Sequence, residues 1–270
     1  MNNYKDIENS IIKKFRKKIW SRFIRSINQY ELISDGDKIA VCLSGGKDSF
    51  LLAKCLEEFS RHGKIKFELK YIIMDPGYKK KHLQKIKENL TKLNIQATIF
   101  KTDIFTIINK HPNNSPCYLC ARMRRGFLYS KAQELNCNKI ALGHHFNDII
   151  ETIMLNIIYA GEYKTMMPKL YSDNFKNIQL IRPLYYVKEE DIIAWAEYNQ
   201  LTFLDCSCIQ SSNQNNKRVE IKELIKDLTH KFEDADINIM RSSENINLDA
   251  VIGFKEKKTK KHFLDNYHKK

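Results

Sequence analysis

Residues 39–58, IAVCLSGGKDSFLLAKCLEE, place two different apolar periodicities on either side of one short polar break. Ile39, Val41 and Leu43 alternate as a buried strand does, whereas Phe50, Leu51, Leu52, Cys55, Leu56 and Phe59 recur at helical spacing. Ser44-Gly45-Gly46-Lys47-Asp48-Ser49 therefore joins a strand to a helix by a tight reversal. Gly45 and Gly46 admit positive φ and close backbone approach, and Ser44 and Ser49 offer hydroxyls. The N–H groups of the first helical turn aim at whatever anion sits there. The loop reads as a pyrophosphate cradle. It differs from the common P-loop, which ends Gly-Lys-Ser/Thr: Lys47 is followed by Asp48, and no glycine stands five residues before Gly46.

The same alternation continues along the chain. Strands are predicted over 37–43, 68–74, 96–101, 139–143 and 178–182, and helices over 49–61, 79–93, 121–135, 148–160, 188–199 and 217–230. The pattern predicts an α/β fold, a doubly wound parallel five-stranded sheet with an N-terminal amphipathic helix over about 5–30. Ligands of such sheets bind beyond the carboxyl ends of the strands. That edge gathers the Ser44–Ser49 loop, Met74-Asp75-Pro76-Gly77 and Gly143-His144-His145. Residues 207–217 read as a polar loop and 255–270 as a weakly ordered basic tail. The expected division is a basic helical segment over 1–35, the nucleotide domain over 36–235 and a basic tail over 236–270.

Composition enters through charge and cysteine. The net charge of +14 lies mostly at the two ends: residues 11–25 hold seven Lys or Arg and no acid, and residues 255–270 hold seven Lys and two acids. Ile11, Ile12, Phe15, Ile19, Phe23 and Ile27 form an apolar stripe that leaves Lys13, Lys14, Arg16, Lys17, Arg22 and Arg25 on other faces. Such a helix suits nucleic-acid phosphates, a membrane surface, or simply a solvated face. No apolar run nears the ~20 residues needed to span a bilayer, and MNNYKDIENS lacks the apolar centre of a signal peptide. A cytoplasmic protein without a membrane partner is expected. Seven cysteines then point to thiols or metal ligands rather than a disulfide framework.

Cys117-Tyr118-Leu119-Cys120 is a CxxC at the start of a predicted helix, followed by Arg122, Arg124 and Arg125, all of which favour thiolates. A CxxC alone fits a dithiol redox pair, a zinc half-site or an iron–sulfur half-site; the companion pair Cys206 and Cys208 favours a metal site. Cys42, Cys55 and Cys137 read as small buried hydrophobes. Asn147 is a candidate N-cap of the next helix and Asp148 a first-turn acid. His144 and His145 fit nucleotide contact, acid or base work, or local packing. Arg124 or Arg125 could meet pyrophosphate, a sulfur-bearing anion or an RNA phosphate.

SGGKDS at the end of a first strand resembles the PP-loop ATP pyrophosphatases, which attach AMP to an oxygen and release pyrophosphate. With PCYLCARMRRG, IALGHHFNDIIETIMLNIIYAGEYKTMMPKL, IRPL and DCSC, residues 20–230 resemble the tRNA 2-thiocytidine synthetase (TtcA) family. The resemblance implies an adenine nucleotide alpha hydrolase-like fold, with ATP held by Ser44, Gly45, Gly46, Lys47, Asp48, Ser49, Met74, Gly143 and His144. Asp48, Asp148 and Arg124 become the catalytic candidates, with Asp48 either holding Mg2+ or orienting the nucleophile. It further implies a 4Fe-4S cluster on Cys117, Cys120 and a third cysteine. Where the family reads cysteine, two residues, cysteine, this chain has Cys206-Ser207-Cys208. Counted back from Val219, Cys206 occupies the first-cysteine register and is the expected third ligand.

By the same resemblance the expected activity is ATP-dependent tRNA sulfurtransfer. O2 of a cytidine in the anticodon-loop region is adenylated and then replaced by sulfur carried on the cluster. Expected partners are tRNA, a sulfur donor (cysteine desulfurase-derived sulfur or sulfide) and a second copy of the chain. Rival readings are a lysidine synthetase-like or 2-thiouridine-forming PP-loop enzyme and, from another class, a non-catalytic nucleotide- or metal-sensing RNA-binding module.

Overall fold

In the computed structural model, which describes residues 3–110, 116–203, 215–257 and 259–267, the first elements follow from a single spacing. Ile7, Ile11, Phe15, Ile19, Phe23 and Ile27 recur at every fourth position, and all six are buried. Four residues exceed an α-helical turn by about 0.4 residue, so on one straight α-helix this stripe would wind off the core. The chain instead forms α1 (Tyr4–Ile12), a wider π-helical turn (Arg16–Trp20) and α2 (Ser21–Tyr30), which returns the stripe to one face. The single helix expected over 5–30 is therefore three pieces. Each fully buried Ile or Phe contributes about 1.5–3 kcal/mol. Lys54 anchors the start of this segment, with its ammonium 2.5 Å from Glu8 Oε1 and 3.0 Å from Leu93 O.

The central elements follow in order: β1 (Lys38–Leu43), α3 (Lys47–His62), β2 (Glu68–Asp75), α4 (Lys80–Lys92), β3 (Ala97–Lys101), α5 (Ile104–Lys110) and α6 (Pro116–Glu134). Then come β4 (Lys139–Ala141), α7 (Phe146–Leu155) with a π-helical turn (Asn156–Ala160), β5 (Lys169–Tyr171), β6 (Gln179–Ile181) and α8 (Glu189–Tyr198). The described chain ends with α9 (Asn215–Lys231), α10 (Ala235–Ser242), β7 (Gly253–Glu256), β8 (Thr259–His262) and α11 (Leu264–Tyr267).

The sheet order is β3-β2-β1-β4-β6-β5, parallel except for β5, which runs antiparallel to β6. The sheet thus has six strands, not the five expected. The extra edge strand is Lys-Leu-Tyr, three residues defined by pairing and too short to carry an alternation. Ile39, Val41 and Leu43 join the core that contains α1, α2, α3 and Trp195, whereas Ala40 and Cys42 face Tyr129 and Ala132 of α6. Both faces of β1 are covered, as a central parallel strand requires. The segment read as a basic tail contains the antiparallel hairpin of β7 and β8. Most of the predicted polar loop 207–217, with Cys206 and Cys208, lies outside the described residues; 215–217 belong to α9. Among the described residues no helix is long and apolar enough to cross a membrane.

Candidate active site

From β1 the sheet grows through β2 to β3 on one side and through β4 to β6 on the other, so the crevice between the carboxyl ends of β1 and β4 is the switch point. Two glycines shape it. Gly45 has φ 91°, and a Cβ on it would lie 2.9 Å from the Ile86 side chain. A Cβ on Gly143 would stand 3.1 Å from the backbone carbon of Asp48 and the nitrogen of Ser49. The end of β4 therefore rests directly on the first turn of α3. Ser49 Oγ closes the loop by donating to Gly46 O at 2.9 Å and accepting from Ser44 N at 3.1 Å.

A cavity of about 310 Å³ opens above this turn. Ser44, Asp48, Ser49, Met74, Gly143 and His144 line it, joined by Asp148 from α7 and Arg124 from α6. Chain segments a hundred residues apart thus meet as the sequence predicts. Arg124 Nε and Asp48 Oδ1 are buried with no hydrogen-bond partner among the described residues. A buried donor without a partner is costly, and Arg124 lines this cavity, so an anionic ligand there would satisfy it; Asp48 Oδ1 has the Lys47 ammonium beside it. The Lys47 side chain leads elsewhere, its ammonium 3.3 Å from Asp48 Oδ1 and 3.2 Å from Glu189 Oε1.

Beside the cavity lies a charge network that the sequence reading missed. Arg218 of α9 donates from Nη2 to Asp148 Oδ1 at 2.9 Å and from Nε to Glu151 Oε2 at 2.8 Å. One turn on, Lys222 meets Glu189 at 2.5 Å. Asp148 Oδ2 accepts the His145 N–H at 3.0 Å and lies 3.6 Å from His145 Nε2, which is itself 3.9 Å from Asp48 Oδ1. Burial pushes the Asp148 carboxyl up, but His145, His144, the backbone N–H and Arg218 together hold it below the usual carboxylate value. Burial opposes the Lys47 charge too, yet Asp48 and Glu189 raise its pKa. Both residues are therefore ionised at neutral pH.

One cap assignment changes. His145 precedes the first residue of α7, while Asn147 Oδ1 accepts the N–H of Glu189 at 2.9 Å and so serves the start of α8. Asn147 is not the cap of its own helix, because α7 begins two residues earlier than the periodicity suggests. His144 turns its Nδ1 to Arg182, whose Nε donates at 3.3 Å, and burial lowers the His144 pKa to about 4.

Pro116 opens α6, a position where its missing N–H costs nothing, and Cys117 and Cys120 follow one turn apart. Cys120 is buried and packs in a cluster with Met74, Ile104 and Ile108, edged by Leu128. Met74 and Leu128 also line the cavity, so the CxxC helix and the Ser44–Ser49 loop share a wall. Cys206, the expected third ligand, lies outside the described residues, and among those described no three His, Cys, Asp or Glu form a metal-binding group.

The chain has known relatives at both levels. A PP-loop domain family matches residues 16–227. The tRNA-cytidine(32) 2-sulfurtransferase of Geotalea uraniireducens is 42% identical over 213 residues, covering 78% of this chain and 84% of the relative. The enzyme of the same name from Syntrophotalea carbinolica is 40% identical over 81% of this chain and 83% of its own. Among solved structures, the U34-tRNA thiolase NcsA from Methanococcus maripaludis with its 4Fe-4S cluster aligns over 86% of this chain and 80% of its own. Its TM-score is 0.68 at 22% identity, a likeness of fold.

Proposed function

Because the chain belongs to the PP-loop family and, within it, to the tRNA-cytidine(32) 2-sulfurtransferases, we propose that it is an ATP-dependent tRNA thiolation enzyme that converts a cytidine to 2-thiocytidine. The observation that carries the reading is the shared wall of Met74 and Leu128, which sets a cysteine-bearing helix beside a phosphate loop.

ATP would occupy the crevice, as the PP-loop family implies. First-turn N–H groups of α3 and the Gly45 turn offer donors to its phosphates, and Arg124 offers positive charge. The cytidine O2 attacks the α-phosphorus, and the bond to the bridging oxygen breaks to release pyrophosphate. The base oxygen is thereby turned into the leaving group AMP. Sulfide then adds at C2, the C2–O bond breaks, and AMP departs with no net redox change. Asp48 and Asp148, both reaching towards His145, are the residues that would hold Mg2+ and orient the reacting oxygens. Arg124 faces the charge that develops on the phosphates.

The cysteine chemistry fits a 4Fe-4S cluster on its described side: α6 carries two cysteines one turn apart, and Cys120 is already desolvated. Cys117, Cys120 and Cys206 would hold it, and it would supply a Lewis-acidic iron position for inorganic sulfur. Arg124 and Leu128, later on the same helix, bring that end of α6 to the nucleotide. tRNA would be held through exposed cations of the N-terminal helices and the C-terminal hairpin, in a cytoplasmic setting. The test is tRNA-dependent pyrophosphate release together with nucleoside analysis of the product. Release without tRNA thiolation would favour the lysidine-type reading.

A further inference from the structure

Arg182 follows β6 directly and is buried. Its guanidinium is held by a bond from Nη1 to Met167 O, and its backbone N–H donates to Pro168 O at 2.9 Å. So fixed, it presents Nε–H to His144 Nδ1 at 3.3 Å. A guanidinium has only donors. Burial lowers the Arg182 pKa to about 10, which still leaves it charged at neutral pH. The ring nitrogen facing it must therefore be a lone pair, because a proton on Nδ1 would set N–H against N–H. The imidazole proton then sits on Nε2. The other titratable groups around the ring are Asp148, which favours the imidazolium, and Arg218 and His145, which oppose it together with burial and Arg182. The ring lines the cavity that holds Asp48 and Arg124.

We infer that Arg182 is a positioning residue that fixes His144 as its Nε2–H tautomer, so that His144 donates a hydrogen bond to an acceptor oxygen of the bound nucleotide instead of transferring protons. The inference rests on the reading of this cavity as the nucleotide site. A neutral donor suits the place: it adds no charge that would pair with Asp48 or Asp148, and its bond strengthens as a phosphoryl oxygen gains negative charge. Arg182 touches no reacting atom. It acts through the ring.

The experiment combines histidine ring nitrogen NMR on the full-length protein with kinetics of tRNA-dependent pyrophosphate release. The wild type shows His144 as the Nε2–H tautomer, unchanged between about pH 5.5 and 8, and the Nε2 proton resonance moves when a non-hydrolysable ATP analogue binds. Arg182→Met mixes the tautomers, and Arg182→Lys, which keeps a donor, restores the single form. His144→Gln places an amide N–H where Nε2 stood but cannot exchange a proton. It keeps kcat within about tenfold, while His144→Ala loses about 100-fold. An Nδ1–H tautomer or a ring titrating near its ordinary value overturns the assignment. So does a His144→Gln variant as slow as His144→Ala. Failure of the nucleotide reading is seen separately, as a wild type that neither binds the analogue nor releases pyrophosphate, while the NMR still decides the tautomer.

Discussion

Gly143 has no room for a side chain: a Cβ there would press on the Asp48 and Ser49 backbone at 3.1 Å. Gly143→Ala should push the end of β4 off the phosphate loop, raising the KM for ATP about tenfold and costing about 1–3 kcal/mol of stability; enzyme kinetics and denaturant unfolding check both. His144 gives a pH prediction. Its folded pKa, about 4, lies below the unfolded value, so the folded state binds fewer protons and its stability falls with pH. The loss begins near the unfolded pKa of about 6.5 and is complete below about 4. His144→Gln should therefore lose less in Tm than the wild type between neutral and mildly acidic pH. Asp148 adds the usual carboxylate effect: its depressed pKa stabilises above the unfolded value, and that stability disappears as pH falls through the folded one. At this scale the meeting of Ser44, Asp48, Ser49, Met74, Gly143 and His144 was legible because strand ends converge in a doubly wound sheet, while Asp148 and Arg124 came from the resemblance. Arg182, Glu151, Glu189 and Arg218 were not legible, because their partners are chosen by tertiary packing across 33 to 142 residues of chain. The one available hint was the arginine of IRPL, within the resemblance.

Among elements, α9 is the one whose role the sequence concealed. Its apolar stripe identified a helix, but nothing in it said that Arg218 and Lys222, one turn apart, would grip Asp148, Glu151 and Glu189 on α7 and α8. Arg218→Ala should leave the buried Glu151 carboxylate without its ion pair and take from Asp148 one of the groups that hold it ionised. The expected results are a pyrophosphate-release kcat lowered about tenfold and faster amide exchange in the first turns of α9, with partial recovery in Arg218→Lys. The N-terminal stripe shows the opposite case. Its strict four-residue spacing is visible in the sequence and, against a 3.6-residue turn, calls for a local widening of the kind the π-helical turn supplies. Ile19→Ala, at a fully buried point of that turn, should cost about 2–5 kcal/mol.

Over the whole molecule, the charge of +14 is partly spoken for. Lys18 and Arg22 both pair with Asp191, and Lys14 lies 3.7 Å from the Tyr198 ring centroid, so part of the N-terminal basic face docks the segment onto α8. The exposed lysines of the β7–β8 hairpin are less engaged, although Lys255 meets Glu162 at 3.1 Å and Lys261 lies 3.7 Å from Glu256. Replacing Lys260 and Lys261 by Ala should weaken tRNA binding and flatten its salt dependence by up to about two units of slope, with ATP binding unchanged. On this account ATP, the phosphate loop and the cysteines all work on one base. The most direct test is nucleoside mass spectrometry of tRNA after anaerobic incubation with the reconstituted protein, ATP, Mg2+ and sulfide. The predicted result is 2-thiocytidine that forms only with ATP and is lost in Asp48→Ala and Cys120→Ala. Unmodified cytidine, or sulfur incorporation that persists without ATP, would contradict it.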